Sequence, residues 1–335
     1  MNPYKGQIRL STFDNLLVSI YVIGYKNIGE SIAVLFHDKA KGEEDVVFSF
    51  VVDSYKKDGL FLTKKILDDN KVKSLDMVFW THPHRDHTPG VDEIVKDYFK
   101  QEMLFFKPKF YFGNLCEDLL KDESKFTAEA NLSLEKFFEQ EVKDYDGVRT
   151  ITGEGDVTNH YPIQMIEDSG QTKDLLFYFL TPIGRLVDQY SLKGNMLSRP
   201  NDLSISFVMS IDGYDFYFGG DAEGDHCMSI ETPIVKDMRW IKVPHHCSNG
   251  GKYVCDHLGP RFDFAASTVY ASSDLPKEDI QNAYASHGSL FMTQLKNEKL
   301  EHEYGVVRFD YKFKGENTEV SIFTYGNAQE YLLPN

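Results

Sequence analysis

Short runs of apolar, mostly β-branched or aromatic residues recur along this chain between glycine-containing or polar turns. Such runs predict buried strands. In the first half of the chain they lie at residues 17–23, 31–37, 46–53 and 75–80. In the second half they lie at 175–181, 204–211, 214–218, 240–243, 264–270, 304–311 and 319–324. Both halves of the chain are therefore expected to be rich in strands.

Helical spacing of apolar residues appears between these runs, at 60–69, 91–99, 127–142 and 277–285. The polar stretch at about 100–150 shows little strand character and predicts a helical insertion. Asp212 and Gly213, between two apolar runs, predict a type I′ hairpin turn. Two strand-rich halves flanked by helices predict the α/β class, as a layered sandwich in one domain spanning 1–335.

Charge is the composition value that most restricts function. The chain has 335 residues, with 36 Lys and Arg against 52 Asp and Glu, so its formal net charge is −16. A hydrophobic share of 41% is sufficient for a large core, and a charged share of 26% is that of an ordinary folded protein. A surface this acidic repels polyphosphate unless metal ions or local basic clusters supply positive charge. A nucleic-acid substrate would therefore need such a local source.

The absence of a visible targeting signal and the spacing of the cysteines favour a cytoplasmic protein. No apolar run approaches the ~20 residues of a membrane-spanning helix, and the first residues show no secretory pattern. The cysteines (Cys116, Cys227, Cys247 and Cys255) are scattered and lack metal-binding Cys-x-x-Cys spacing. We expect free thiols, no membrane association and a cytoplasmic location, with a protein partner or a homo-oligomer left open.

A cluster of histidines and one carboxylate follows the apolar run that ends at residue 80. His82 and His84 are one residue apart, so in an extended segment their imidazoles project to the same side. Asp86 and His87 come after a bend and can face a second point. Two divalent ions ~3.5–4 Å apart would suit binuclear hydrolysis. The alternatives are a solvated polar loop or a structural zinc site, although the latter favours cysteine ligands.

Two later segments carry further candidate ligands just beyond strands. Gly219 and Gly220 precede Asp221, a candidate bridging carboxylate, although Gly-Gly-Asp is also ordinary turn chemistry. His245 and His246 follow the run at 240–243. Adjacent histidines point to different sides, so one can bind metal while the other faces substrate.

In this order, the three segments resemble the metallo-β-lactamase superfamily, and more narrowly its ComEC-like branch, the hydrolase domain attached to bacterial DNA-uptake channels. The resemblance covers roughly residues 17–290, with 100–150 unmatched. Cys247 stands where the branch has the glycine of His-His-Gly-Ser. The other matching segments are His82-x-His84-x-Asp86-His87, Asn201-Asp202-Leu203-Ser204, Gly220-Asp221, Lys242-Val243-Pro244-His245-His246-x-Ser248, and Gly29-Glu30-Ser31 with Asp53.

The resemblance implies a four-layer αβ/βα sandwich, the metallo-β-lactamase fold, with two metal ions at one edge between two sheets. It assigns His82 and His84 to the first ion and a bridging position to Asp221. It assigns Asp86, His87 and His246 to the second ion. Many relatives complete the first site with another histidine before the bridging aspartate, whereas this chain has Asn201 or Asp202 there. The ions are expected to be Zn²⁺ or Mn²⁺.

The function expected from these residues is a binuclear metal-dependent hydrolase, most of all a phosphodiesterase or nuclease. A hydroxide bridging the metals would attack a small phosphodiester, a nucleotide or a single-stranded nucleic acid. Asp86 or Asp221 would orient it, and His245 or His287 would assist the leaving group. The alternatives are hydrolysis of a lactam or thioester, and a non-catalytic metal-binding sensor or scaffold.

Residues beside these motifs are candidates for supporting roles. Glu223 and His226, near Asp221, are expected to orient metal ligands. Ser248 is a candidate for binding substrate oxygens, and Lys242 is expected at an exposed strand end. Where the branch shows Asn-x-Tyr-Gly-His-Pro, this chain has His287 with one residue inserted before it, and a solvated position at the end of a helix is an equal alternative.

Overall fold

The protein is a mixed α/β structure with two large mixed sheets. The computed structural model describes residues 6–42, 45–108, 125–155, 160–192, 200–231, 234, 238–257, 262–296, 299–314 and 317–334. The strands are β1 (Ile8–Leu10), β2 (Leu16–Tyr25), β3 (Glu30–Asp38), β4 (Val46–Val52), β5 (Met77–Phe79), β6 (Leu104–Pro108), β7 (Val148–Ile151), β8 (His160–Glu167), β9 (Thr172–Thr181), β10 (Ser206–Ile211), β11 (Tyr214–Phe218), β12 (Trp240–Lys242), β13 (Phe264–Ser267), β14 (Ser289–Met292), β15 (Tyr304–Lys314), β16 (Asn317–Gly326) and β17 (Gln329–Tyr331).

The helices lie between the strands and are mostly short. None of those in the described residues combines the length and hydropathy that a membrane-spanning helix requires. They are α1 (Leu62–Asp69), α2 (Val91–Asp97), α3 (Lys125–Lys136), α4 (Gly184–Leu192), α5 (Gly224–Met228), α6 (Lys252–His257) and α7 (Glu278–Ala285). A π-helical turn, Phe137–Glu141, follows α3.

Each sheet is antiparallel in one part and parallel in another. The eight-stranded sheet has the order β16-β15-β2-β3-β4-β5-β6-β7 and is parallel from β4 onward. The nine-stranded sheet has the order β1-β8-β9-β10-β11-β12-β13-β14-β17 and is parallel from β11 to β14. Carboxyl ends of parallel strands meet at one edge of a sheet, where loops commonly carry functional residues.

Aromatic side chains fill the space between the two sheets. Phe79 of β5 lies 4.5 Å from Phe207 of β10, measured between ring centroids. Phe50 of β4 lies 5.6 Å from Phe177 of β9. Because each pair joins one sheet to the other, the sheets pack face to face, while α1 and α2 cover the outer face of the first sheet and α6 and α7 that of the second.

Most of the predicted elements are confirmed, including the type I′ turn, where Asp212 and Gly213 have φ values of 53° and 80°. The expectation of little strand character at 100–150 is wrong at its two ends, where β6 and β7 extend the first sheet. Helix α3 with its π turn matches the helix predicted at 127–142. The sequence pattern missed β6 because it is a short apolar run, which does not distinguish a strand from a buried helical turn. Cys116 lies outside the described residues.

Candidate metal centre

The loop after β5 carries the first histidine cluster and is folded back by its own backbone. The amide of His84 donates to the carbonyl of His82 at 3.0 Å, and the amide of His87 donates to that of His84 at 3.1 Å. Across the sheets, the amide of Ile205 donates to the carbonyl of Thr81 at 2.9 Å. The loop is thereby held where the carboxyl edges of the two sheets meet.

The hairpin β10–β11 places Asp221 opposite this loop. Its amide donates to the hydroxyl of Ser204 at 2.8 Å. Gly220 has a φ of 50°, and a Cβ there would lie 2.6 Å from Ser204 Oγ and 2.7 Å from the carbonyl oxygen of Ile205. Glycine is therefore required for this close approach of the backbone, as the two glycines in the sequence predicted.

The segment after β12 presents two histidines from a strained backbone. His245, His246 and Cys247 have φ values of 43°, 49° and 58°, the left-handed region that non-glycine residues rarely adopt. The amide of His245 donates to the carbonyl of Gly220 at 2.9 Å, which ties the segment to the Asp221 hairpin. Strain of this kind persists where surrounding contacts enforce it and is concentrated at functional sites.

All six predicted metal ligands converge at this edge. One group comprises Asp86, His87, Asp221 and His246, and a second comprises His82, His84 and Asp221. Within each group one ligand atom from every residue lies within 4.8 Å of the others. Asp221 belongs to both: its Oδ1 lies 3.4 Å from His87 Nε2, and its Oδ2 lies 3.6 Å from His82 Nε2. The carboxylate thus stands between two clusters of nitrogen and oxygen atoms.

Several ligand atoms of these groups are buried and lack a hydrogen-bond partner. A polar atom in this position costs about 1–3 kcal/mol, and a cation bound among these atoms would remove that cost. Imidazole nitrogens mixed with carboxylate oxygens suit Zn²⁺ or Mn²⁺. The residues therefore fit two divalent ions. The atoms concerned are His82 Nε2, His87 Nε2 and both carboxylate oxygens of Asp221.

The charges at the centre shift one another's pKa values. Burial acts to raise the pKa of Asp221, but the surrounding histidines, His87 foremost, outweigh burial and hold it well below its usual range. Burial acts to lower the pKa of His87, but three carboxylates, Asp221 foremost, hold it well above. Burial keeps the pKa of His82 well below its usual value. Because a metal ion binds only a neutral imidazole, a cation at His87 would replace its proton.

Asp53, directly after β4, orients the loop that follows β5 by contacting Thr81 and the side of the His87 ring that faces away from Asp221. Its Oδ1 accepts the Thr81 amide at 2.7 Å, and its Oδ2 accepts the Thr81 hydroxyl at 2.6 Å. The same Oδ2 lies 2.7 Å from His87 Nδ1, so it accepts the ring N–H and leaves Nε2 facing Asp221. Carboxylates that hold metal-binding histidines in this way fix the tautomer and raise metal affinity.

The variant Asp53→Asn is expected to weaken metal binding about 10- to 100-fold without unfolding the protein. Asparagine has nearly the same volume and tolerates the left-handed backbone at this position, where φ is 57°. Its amide nitrogen cannot accept the hydrogen bonds that both carboxylate oxygens accept. Calorimetric titration with Zn²⁺ measures the affinity, and circular dichroism checks the fold. An affinity equal to that of the unaltered protein would contradict this role.

A second buried chain of contacts orients His246. Lys242 Nζ lies 2.8 Å from Glu30 Oε2, which also accepts the hydroxyl of Thr268. Thr268 Oγ1 therefore accepts the Nδ1–H of His246, 2.7 Å away, and His246 Nε2 lies 3.0 Å from Asp86 Oδ2. The expectation that Lys242 is exposed is wrong. It is fully buried, because β12 lies inside its sheet and Glu30 approaches from the other one.

The three predicted catalytic residues occupy different places. Asp86 lies in the cluster, and His245 lies beside it, with Nε2 at 3.9 Å from Asp221 Oδ2. His287 Nδ1 donates to the carbonyl of Ala283 at 3.0 Å, and the ring lies against Phe262. Among the described residues, His287 is not brought into either ligand group. Its catalytic role stays a prediction without a supporting contact.

The two residues predicted to orient metal ligands, Glu223 and His226, lie in different surroundings. Glu223 Oε2 lies 2.6 Å from His245 Nδ1, as expected of an orienting carboxylate, and 3.4 Å from the hydroxyl of Ser248. His226 Nδ1 instead accepts the amide of Ile183 at 2.9 Å, just before α4. Glu223 thus acts on the site, whereas this contact of His226 supports the neighbouring backbone.

A cleft of about 440 Å³ opens beside the cluster and is lined by His84, His245 and Arg85 among others. Arg85 Nε donates to the hydroxyl of Tyr270 at 3.0 Å. The Tyr270 ring stacks on His246 with centroids 5.6 Å apart. Sequence reasoning missed both residues, since Arg85 occupies a variable position inside the first motif and Tyr270 is distant from every motif. A charged residue between two candidate ligands was the one signal available.

Comparison with models of known protein families gives no match, and a search of curated proteins finds none with a similar sequence.

Proposed function

We propose that the protein is a binuclear metal-dependent hydrolase that cleaves phosphodiester bonds. The observation that carries the proposal is the position of Asp221 between two groups of buried ligand atoms. The two mixed sheets, with the cluster between their carboxyl edges, support the metallo-β-lactamase fold that the sequence motifs resemble. The ComEC-like features of those motifs favour phosphorus over carbonyl chemistry.

Two divalent ions at such a centre supply a water of lowered pKa and positive charge for the developing oxyanions. The chain itself supplies the geometry. We expect Asp86, whose buried Oδ1 lies 2.7 Å from His84 Nδ1, to orient a nucleophilic water. Asp53 holds the ring of His87, and Thr268, which donates to Glu30, holds the ring of His246, so the reacting groups need little rearrangement.

The cleft supports a small or single-stranded substrate. Its volume of about 440 Å³ lies within the range of small-molecule sites. Arg85 places a guanidinium there, a group suited to phosphate oxygens. Asp202 and Glu223 also line the cleft, and together with the net charge of −16 they disfavour a long duplex. A nucleotide or the end of a single strand fits this distribution of charge.

The test is a comparison of substrates after metal loading. Purified protein is treated with chelator, reloaded with Zn²⁺ or Mn²⁺, analysed for metal, and assayed on bis-p-nitrophenyl phosphate, a single-stranded oligonucleotide and nitrocefin. We expect about two ions per chain and turnover of the phosphodiesters. Activity on nitrocefin alone would assign the site to lactam chemistry. Two bound ions with no turnover of any substrate would favour a metal-binding sensor or scaffold.

A further inference from the structure

The two ligand groups differ in the number of side chains that they offer. The group around Asp86 and His87 has four members, whereas His82, His84 and Asp221 form a group of three. At the position where the sequence suggested a missing ligand, the amide nitrogen of Asn201 lies 3.2 Å from His245 Nε2. Asn201 therefore contacts His245, which makes His245 the candidate for the missing ligand.

His245 shares the contact pattern of the histidines in the cluster. In His82, His87 and His246, as in His245, Nδ1 is held by an oxygen while Nε2 faces Asp221, the arrangement typical of metal-binding imidazoles. The Nδ1 partners are Thr81 at 3.0 Å for His82, Asp53 at 2.7 Å for His87, Thr268 at 2.7 Å for His246 and Glu223 at 2.6 Å for His245.

The distances from Asp221 also group His245 with the histidines of the cluster. Its Oδ2 lies 3.6 Å from His82 Nε2, 3.7 Å from His246 Nε2 and 3.9 Å from His245 Nε2. The side chain of His245 is 17% exposed and borders the cleft, so it stands between the cluster and the substrate space. Among the described residues His245 belongs to neither ligand group, so its Nε2 must leave Asn201 and approach the other ligand atoms to bind an ion.

The backbone supplies an independent reason. Two consecutive histidines and Cys247 are held in the left-handed conformation, which costs about 1–2 kcal/mol for each such residue. The strained turn brings both imidazoles within 4 Å of one oxygen of Asp221.

We infer that His245 is the fourth protein ligand of the first metal ion, together with His82, His84 and Asp221, and that it exchanges the amide of Asn201 for the ion. This inference rests on the proposed binuclear centre. It gives the first site three imidazoles and one carboxylate, a set that suits Zn²⁺, whereas the second site has two of each. His245 is then a ligand, not a proton donor to the leaving group.

The experiment compares metal binding by His245→Asn with that by the unaltered protein. Asparagine tolerates the left-handed backbone but is too short to reach the ion. After gel filtration, we expect about one retained Zn²⁺ instead of two, and a Kd for the weaker ion raised about 100-fold or more. The visible spectrum of the Co²⁺-loaded protein should lose the bands of one site. His302→Asn, the same substitution at an exposed histidine, is the control and should retain both ions.

Two further variants keep the inference open to refutation if His245→Asn does not fold. Glu223→Gln should weaken the first ion about tenfold and leave the second unchanged. Asn201→Ala should strengthen the first ion roughly two- to tenfold, because a competing N–H is removed. A weaker ion in Asn201→Ala would make Asn201 the ligand and overturn the inference.

A His245→Asn protein that retains both ions with unaltered Kd but turns over slowly would also overturn it, assigning His245 to proton transfer. Failure of the proposed function is distinguishable from this result. An unaltered protein that binds two ions and cleaves no phosphodiester rejects the function, and the variants still decide whether His245 binds metal. An unaltered protein that binds no ion rejects both.

Discussion

The variant Asp221→Ala should bind neither ion tightly and should lose at least ~1,000-fold in kcat/KM on phosphodiesters. Asp221 is the one residue common to both ligand groups, and both of its carboxylate oxygens are buried without a hydrogen-bond partner. Metal ions contribute several kcal/mol to stabilising transition-state charge, and about 1.4 kcal/mol corresponds to a tenfold change in rate. Removing the shared ligand is therefore the single change that affects the whole centre.

The measurements are metal content after gel filtration and kcat/KM for bis-p-nitrophenyl phosphate. Asp212→Asn is the matched control, because Asp212 is a carboxylate at the other end of the same hairpin, in a turn where asparagine fits. The control should retain both ions and the original rate. Equal metal content in Asp221→Ala and the control would refute the bridging assignment.

The variant Lys242→Met is expected to destabilise the protein by about 3–5 kcal/mol. Lys242 is fully buried, and its Nζ lies 2.8 Å from Glu30 Oε2 and 3.0 Å from the carbonyl of Val243. Methionine preserves most of the side-chain volume but leaves the carboxylate of Glu30 buried without its cation. Breaking one side of a buried ion pair is costly because the remaining charge is uncompensated.

The double variant Lys242→Met with Glu30→Gln should recover most of this loss. Glutamine at position 30 removes the uncompensated negative charge and retains an oxygen that accepts the hydrogen bond from the hydroxyl of Thr268. Urea unfolding measures all three proteins, with Lys26→Met as a control. Lys26 forms a solvent-exposed pair with Glu303 at 3.0 Å, where about 0–1 kcal/mol is expected. A Lys242→Met effect as small as the control, or a double variant less stable than the single, would contradict the buried pair.

Much of the candidate site could be predicted because its ligands and turn residues form short, recognisable patterns along the chain. The spacing predicts that His82 and His84 face the same side, and both belong to one ligand group although the segment is turned, not extended. The order of the three motifs suggests one centre. The I′ turn at Asp212 and the glycines before Asp221 follow from backbone conformations that few residues adopt. Such features depend on residues that are adjacent in the chain, so they can be predicted from the sequence alone.

Other features could not be predicted because they depend on segments far apart in sequence. Lys242 would be an exposed strand end if Glu30, more than 200 residues earlier, did not meet it inside the fold. β6 and β7 carry no distinctive period, and only the pairing of β6 with β5 and of β7 with β6 makes them strands of one sheet. Tyr270 reaches the site only because the loop after β13 lies over His246.

By itself, then, the sequence determined the residue types at the centre, the α/β class and the presence of a histidine cluster directly after a buried strand. The tertiary structure decided which atoms meet: that Asp221 stands between two groups, that Asp53 and Thr268 hold the rings of His87 and His246, and that His245 lies near Asp221. The physical reason is that local patterns restrict the conformation and chemistry of each segment, whereas distances between side chains arise only when two sheets pack face to face.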